Sequence, residues 1–248
     1  MKKLIIFLLA AIFLFGFSCK KKPIGPVSEK PTFTIYGVVV KDMNIQKDIA
    51  SFAVWRNDTL YNYATVKVGN KNIPNIGSGL YYDTLPYNTF EVNTTYIDSI
   101  ISSLDTVTIT FSFTMPDTFY INPLQGNDSI NAGGHSVQLS WTSSANASKY
   151  ILSLAQDTVT GAGLFKTTVG STDTTITPEA FRNTADQLVT GDYYTYVVAY
   201  NKSFFSYPEI PFALPTNLPT ENIGAGVHGT IGAGIIARKA NIYVTTAR

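Results

Sequence analysis

Residues 106–115 read Thr-Val-Thr-Ile-Thr-Phe-Ser-Phe-Thr-Met, in which polar and apolar side chains alternate without a break. Such alternation is typical of a β-strand with one buried and one wet face, because successive side chains of a strand point to opposite faces. Stretches on both sides repeat the pattern more briefly, at 33–39, 64–68, 137–141, 150–154 and 242–244. Turn residues such as Arg56-Asn57-Asp58 separate them. The sequence therefore predicts an all-β protein.

The alternation stops at Pro116, which a central strand does not tolerate because proline has no backbone N–H to donate. A second series of strands begins at Phe119. We therefore predict two consecutive Ig-like β-sandwich domains, at residues 32–115 and 117–246. One short helix is predicted between Thr177 and Leu188, with Thr177 as its cap and Pro178 in its first turn.

The composition excludes several classes of protein. The chain has 248 residues, of which 14% are charged, and a formal net charge of +1. This charged fraction is below the roughly one quarter usual in soluble domains, which argues against a disordered chain. A near-neutral balance argues against an electrostatic nucleic-acid binder. With one Cys and two His, no disulfide framework, metal site or cofactor is expected.

The N-terminus has the pattern of an export signal. Two lysines precede an unbroken apolar run from Leu4 to Phe15, which is shorter than the ~20 residues of a membrane-spanning helix. The run leads into Gly16-Phe17-Ser18-Cys19. This boundary resembles the lipobox of bacterial lipoproteins, in which a peptidase cuts before a Cys that carries a diacylglycerol. Gly16 and Phe17 depart from the usual Leu and small residue, and an ordinary signal peptide with a chance Cys is the alternative.

The lipoprotein resemblance implies that residues 1–18 are removed and that Cys19 is lipidated. No free thiol would then remain for catalysis, zinc binding or a disulfide. Residues 19–31 contain four lysines and three prolines, which predicts an extended tether beside anionic lipid headgroups. The expected location is the bacterial cell envelope, with the lipid in the outer membrane, facing either the periplasm or the exterior.

Three stretches of the second predicted domain carry a further resemblance: 137–142 (VQLSWT), 147–152 (ASKYIL) and 188–194 (LVTGDYY). They resemble the second strand, the third strand, and the corner and sixth strand of a fibronectin type III or related Ig-like module. The resemblance implies that Trp141 is buried and that a corner tyrosine hydroxyl bonds back to the backbone. Tyr193 and Tyr194 are both candidates for that corner. The resemblance bears on fold and not on function.

No catalytic pattern emerges from the sequence. His135 and His228 are far apart in Gly-flanked stretches, which favours exposed loop histidines over zinc ligands. Residues 224–229 (GAGVHG) match a dinucleotide-binding fingerprint, but no helix is signalled and no acidic residue follows. We interpret this stretch as a flexible loop before a closing strand at 241–245, where glycine lets backbone approach backbone. A non-enzymatic protein is expected.

An Asp followed by Ser or Thr and then by an aliphatic residue or Thr recurs in the chain. The pattern starts at Asp58, Asp83, Asp98, Asp105, Asp128, Asp157 and Asp173. It resembles an O-glycosylation signal of exported proteins in one large bacterial group, and ordinary turn chemistry is the alternative. If these sites are modified, the acceptor hydroxyls must be exposed, and we expect this of Thr106, Ser129 and Thr158.

Aromatic clusters offer a ligand hypothesis, because exposed rings can stack on sugars. The candidates are Tyr81, Tyr82, Tyr87, Phe204, Phe205 and Tyr207. The alternative is that these rings pack between the sheets or between the two domains.

The sequence alone favours a non-catalytic, lipid-anchored envelope protein that acts as a binding or structural module. One alternative is a glycan-binding accessory lipoprotein, similar in plan to outer-membrane starch-binding lipoproteins. Another is a subunit of a surface fibre assembled by strand addition, although nothing in the sequence marks a detachable edge strand. The expected partners are the membrane, through the lipid, and a glycan or another envelope protein. Nucleic acid is not expected.

Overall fold

The computed structural model describes residues 30–124, 129–131, 134–156, 163–201, 221–224 and 227–246. This part of the chain is all-β, which confirms the predicted fold class. The strands are β1 Phe33–Asp42, β2 Lys47–Arg56, β3 Thr59–Leu60, β4 Ala64–Val68, β5 Lys71–Ile73, β6 Asn75–Gly77, β7 Leu80–Pro86, β8 Thr95–Ser102, β9 Val107–Thr114, β10 Ser129–Asn131, β11 Val137–Ser140, β12 Lys149–Ala155, β13 Gly163–Val169, β14 Asp173–Ile176, β15 Gly191–Asn201, β16 Glu221–Gly224 and β17 Val227–Thr245.

The strands form one large sheet and two smaller ones. The large sheet has the order β13-β12-β15-β17-β1-β2-β7-β6, and β3, β10 and β16 pair with its members. The smaller sheets are β5-β4-β8-β9 and β11-β14. Phe52 of the large sheet contacts Phe111 of the four-stranded sheet, with ring centroids 5.9 Å apart. Trp141, directly after β11, lies 5.4 Å from Tyr150 of β12. Both smaller sheets therefore pack on the same large sheet as β-sandwiches.

Strand β17 connects the two predicted domains. Its residues 227–236 pair in parallel with β1, and its residues 233–244 pair antiparallel with β15. A single sheet thus contains strands from both sides of Pro116, and residues 31–248 form one compact unit. The domain boundary at Pro116 stays a prediction, since the structure defines pairing and not independent folding.

The glycine-rich stretch was expected to be a flexible loop, and this expectation is wrong. Gly232 and Gly234 lie within β17, and His228, expected in a loop, is an exposed residue of the same strand. The close backbone approach expected of these glycines is confirmed at Gly229. Its φ is +122°, and an added Cβ would stand 1.8 Å from the carbonyl oxygen of Ile35. Small residues here allow tight strand pairing rather than mobility.

The predicted helix is shorter than expected. Only Pro178–Phe181 is helical, as a single 3₁₀ turn, and Thr177 makes no side-chain cap hydrogen bond. The Asn183 side-chain oxygen accepts the backbone N–H groups of Ala185 and Gln187, at 2.9 and 3.0 Å. Such local side-chain bonds compete with helical hydrogen bonds and end the helix early.

The corner before β15 uses Tyr193 and not Tyr194. The Tyr193 hydroxyl donates to the carbonyl oxygen of Val189 at 2.8 Å, and its ring packs at 4.7 Å on Phe181. Burial raises the pKa of Tyr193 to about 12. Tyr194 points to the other face of the sheet, where the Arg238 guanidinium lies 5.0 Å from its ring. Trp141 is buried, as the sequence predicts.

Candidate functional site

Hydrogen bonds fix the start of β1, which follows the predicted tether. The backbone N–H of Thr32 donates to Asn57 Oδ1 at 2.9 Å, and the N–H of Asn57 donates to the carbonyl of Thr32 at 2.8 Å. The chain is therefore fixed at the β2–β3 turn just before β1 begins. The lipidation candidate Cys19 lies outside the described residues.

Within the described residues, no helix is long and apolar enough to cross a bilayer.

The predicted aromatic site is not assembled as expected. Tyr81 is buried, where its hydroxyl donates to the carbonyl of Tyr61 and accepts the N–H of Ala64, both at 3.0 Å. It is therefore a core residue and not a ligand-stacking surface, which corrects the prediction for Tyr81. Tyr82 points to the opposite face, because neighbouring residues of a strand alternate. Phe204, Phe205 and Tyr207 lie outside the described residues.

Tyr87 is engaged in a buried polar network. Its ring lies 4.3 Å from the Nζ of Lys41, close enough for a cation–π interaction. Lys41 Nζ also lies 2.8 Å from Asp48 Oδ1 and 3.2 Å from Asn88 Oδ1. The backbone N–H of Phe90 donates to the second oxygen of Asp48 at 2.8 Å. The buried ion pair thus holds the segment after β7 against β1 and β2.

The candidate modification sites have different environments. Thr106 is exposed, as expected, while the carboxylate of Asp105 beside it accepts hydrogen bonds from Arg56 at 2.6 and 2.8 Å. Ser129 is only partly exposed, because it lies in β10 and pairs with Tyr243 of β17 rather than standing beside a turn. This corrects the expected exposure of Ser129. Thr158 lies outside the described residues, and glycosylation itself stays a prediction.

Asp98 is a buried acid with an incomplete set of partners. Its Oδ1 accepts the backbone N–H of Gly69, whereas its Oδ2 has no hydrogen-bond partner. Burial raises the pKa of Asp98 to about 6. Asp98 lies in β8 and is only 3% exposed. Its environment therefore affects the stability of the fold and gives a substrate no access to the carboxylate.

Among the residues that the structure describes, no group of three or more His, Cys, Asp or Glu side chains could hold a metal ion. His135 is exposed.

A shallow groove of about 310 Å³ lies where the first strands meet the chain after Pro116. Its lining includes Met43, Asn44, Tyr120 and Arg238. Asn44 Oδ1 accepts the backbone N–H of Arg238 at 2.8 Å, which joins the β1–β2 turn to β17. Tyr120 is 65% exposed and presents its ring to solvent. Nothing in the sequence pointed to this groove, because its residues come from three distant segments.

One end of the structure exposes large apolar side chains in and beside three connections, β3–β4, β6–β7 and β8–β9, and we call this surface the apolar end. Its five residues are Leu60, Tyr63, Ile76, Leu80 and Leu104. Tyr63, Ile76 and Leu104 are exposed by 63%, 61% and 65%. Strand alternation did not point to them, because most of them lie in turns or at strand ends where the period of two is lost.

The comparisons with known proteins give no family. No family model matches the chain, and no curated protein matches it. Among solved structures, the chain is similar to an alpha-2-macroglobulin from Salmonella, with 12% identity and a TM-score of 0.25. The match covers 71% of this chain and 14% of that much longer one.

Proposed function

We propose that the protein is a lipid-anchored, non-catalytic protein of the bacterial cell envelope that works as a binding or structural module. The observation that carries this proposal is the position of β1, the strand that directly follows the predicted tether. β1 pairs along all ten residues with β2 on one side and with β17 on the other. An anchor pulling on Thr32 would therefore act on an interior strand of the large sheet and not on a weakly held edge.

The proposed location is the outer membrane, with the acyl chains of Cys19 as the membrane contact and residues 19–31 as the tether. A fibronectin type III-like fold is proposed for the second segment. Its support is the hydrogen bond from Tyr193 to Val189 together with the buried Trp141.

Glycan binding is a second candidate function, and the groove beside Tyr120 favours it. An exposed tyrosine ring with Arg238 and Asn44 nearby combines a stacking surface with polar groups, which is the usual composition of a sugar site. If this function is correct, Tyr120→Ala abolishes retention on a glycan that binds the wild-type protein.

The test of the anchor is radiolabelled palmitate incorporation and detergent-phase partitioning in a bacterial host. Wild-type protein is expected to carry label and to enter the detergent phase, whereas Cys19→Ala loses both properties. Ser18→Ala is the matched control, because it keeps a small residue before the cut and the acceptor thiol. Equal partitioning of wild type and Cys19→Ala would contradict the proposal.

A further inference from the structure

The three turns that form the apolar end are joined by hydrogen bonds. The backbone N–H of Gly79 donates to Asn62 Oδ1 at 2.6 Å, and the carbonyl of Gly79 accepts the N–H of Val54 at 2.9 Å. The hydroxyl of Ser103 donates to the carbonyl of Tyr63 at 3.1 Å. The turns that carry Tyr63, Ile76 and Leu104 are therefore held together as one surface.

The predicted tether enters the fold at this same end. Phe33, the first residue of β1, pairs with Arg56, and Thr32 is bonded to Asn57 one residue further on. Arg56 in turn forms an ion pair with Asp105, next to Leu104. The apolar end therefore lies beside the position at which β1 begins, from which the chain leads back to Cys19.

The length of the tether keeps this end close to the lipid. Thr32 lies thirteen positions after Cys19 (32 − 19 = 13), which corresponds to at most about 45 Å when fully extended. Tethering at this distance makes contact with the bilayer an intramolecular event with a high effective concentration. A contact that is weak on its own is then sufficient to keep the surface occupied.

The chemistry of the apolar end suits a membrane interface. Exposed leucine and isoleucine side chains gain free energy when their apolar surface is removed from water, and tyrosine is favoured where one side is apolar and the other wet. The Arg56–Asp105 pair is neutral as a unit, and Lys30 with the tether lysines adds positive charge toward anionic headgroups.

From these observations we infer that the apolar end docks on the lipid surface that holds the anchor. Leu60, Tyr63, Ile76, Leu80 and Leu104 insert at the headgroup boundary, and β1 and β17 then rise away from the bilayer. This inference rests on the proposed lipid anchor, and its test is arranged so that either can fail alone.

The experiment places a polarity-sensitive fluorophore on the full chain through Leu104→Cys. The control position is Lys47→Cys, the exposed first residue of β2, which pairs with Asp42 at the far end of β1, about 30 Å away by the rise of a strand. Both chains are reconstituted, with their anchors, in vesicles of phosphatidylethanolamine and phosphatidylglycerol. We expect blue-shifted emission from position 104 and unshifted emission from position 47.

A second arm uses the same labelled positions in a Cys19→Ala background with an excess of the same vesicles. Emission from position 104 is again expected to shift with lipid concentration. Adding Tyr63→Glu and Ile76→Glu, both at exposed positions, is expected to lower the vesicle partition coefficient by about tenfold or more. Because this arm needs no lipid on Cys19, it still tests whether the apolar end binds the vesicles if the anchor proposal fails.

Three outcomes would overturn the inference. One is unshifted emission from position 104 in both arms. Another is an equal shift at positions 104 and 47. The third is a shift without vesicles that grows with protein concentration, because the apolar end would then be covered by a second copy of the chain.

Discussion

Two buried aspartates differ in their hydrogen-bond and ion-pair partners, and these partners decide which protonation state is favoured. Asp48 has the ammonium group of Lys41 and the N–H of Phe90, whereas Asp98 has only the N–H of Gly69 for one of its two oxygens. A buried carboxylate without a cation favours its neutral form. The sequence shows both as polar residues near strands and does not reveal which one has a lysine across from it.

Asp98 is expected to make stability fall as the pH rises. Its pKa is about 6 in the folded state, against about 3.9 in an unfolded chain, so between these values only the folded state holds the proton. The free energy of unfolding therefore decreases from pH 4 to 6, and a penalty of about 3 kcal/mol remains above pH 6. Asp98→Asn should remove this dependence and stabilise the protein at pH 7.5, as measured by urea unfolding across this range.

Asp105→Asn is the control, because the pKa of Asp105 is shifted in the opposite direction to that of Asp98. Hydrogen bonds from Arg56 and Ser102 lower the pKa of Asp105, so its stabilisation is present near neutral pH and is lost as the pH falls through the folded-state pKa. The two variants should change the pH profile in opposite directions. Identical pH profiles for Asp98→Asn and wild type would contradict the role assigned to Asp98.

Among the elements, the corner before β15 offers a matched pair of tyrosines. Tyr193→Phe removes the hydroxyl that donates to Val189, so we expect the free energy of unfolding to drop by about 1–2 kcal/mol. Tyr194→Phe keeps the ring beneath Arg238 and should change stability by less than about 0.5 kcal/mol. Urea unfolding of the two variants measures the difference, and equal losses would show that the corner bond is not stabilising.

The elements also show where sequence reasoning succeeds. Alternation located β9 and β11, because one exposed face enforces a period of two in these strands. Alternation in the sequence also located β1 and β12, although most of their residues are buried. It did not distinguish Tyr193 from Tyr194, since a shift of one residue exchanges the two faces. It misread the glycines of β17 as a loop, because a strand in the interior of a sheet lacks that alternation. The sequence pattern did not indicate the apolar end, because its residues are far apart in sequence and come together only in the folded structure.

For the whole molecule, the shared strand β17 makes a specific prediction about cooperativity. Residues 32–115 expressed alone would lack β17, so β1 would become an unpaired edge strand with the apolar run Val38-Val39-Val40. We expect this fragment to aggregate or remain unfolded, and residues 31–248 to unfold in a single calorimetric transition. Two separate transitions, or a soluble fragment with a cooperative melt, would contradict the prediction and support independent domains.

The pairing of β1 with β17 also affects how fast the protein can fold. Phe33 pairs with Val227, 194 positions later (227 − 33 = 194), so the first described strand cannot complete its pairing until the last described strand is in place. Contacts between residues this distant in sequence form slowly, and an open strand edge is prone to aggregation meanwhile. The folding chain would therefore pass through a long-lived intermediate in which one edge of β1 is unprotected. The slow step of folding is then the pairing of β17 with β1.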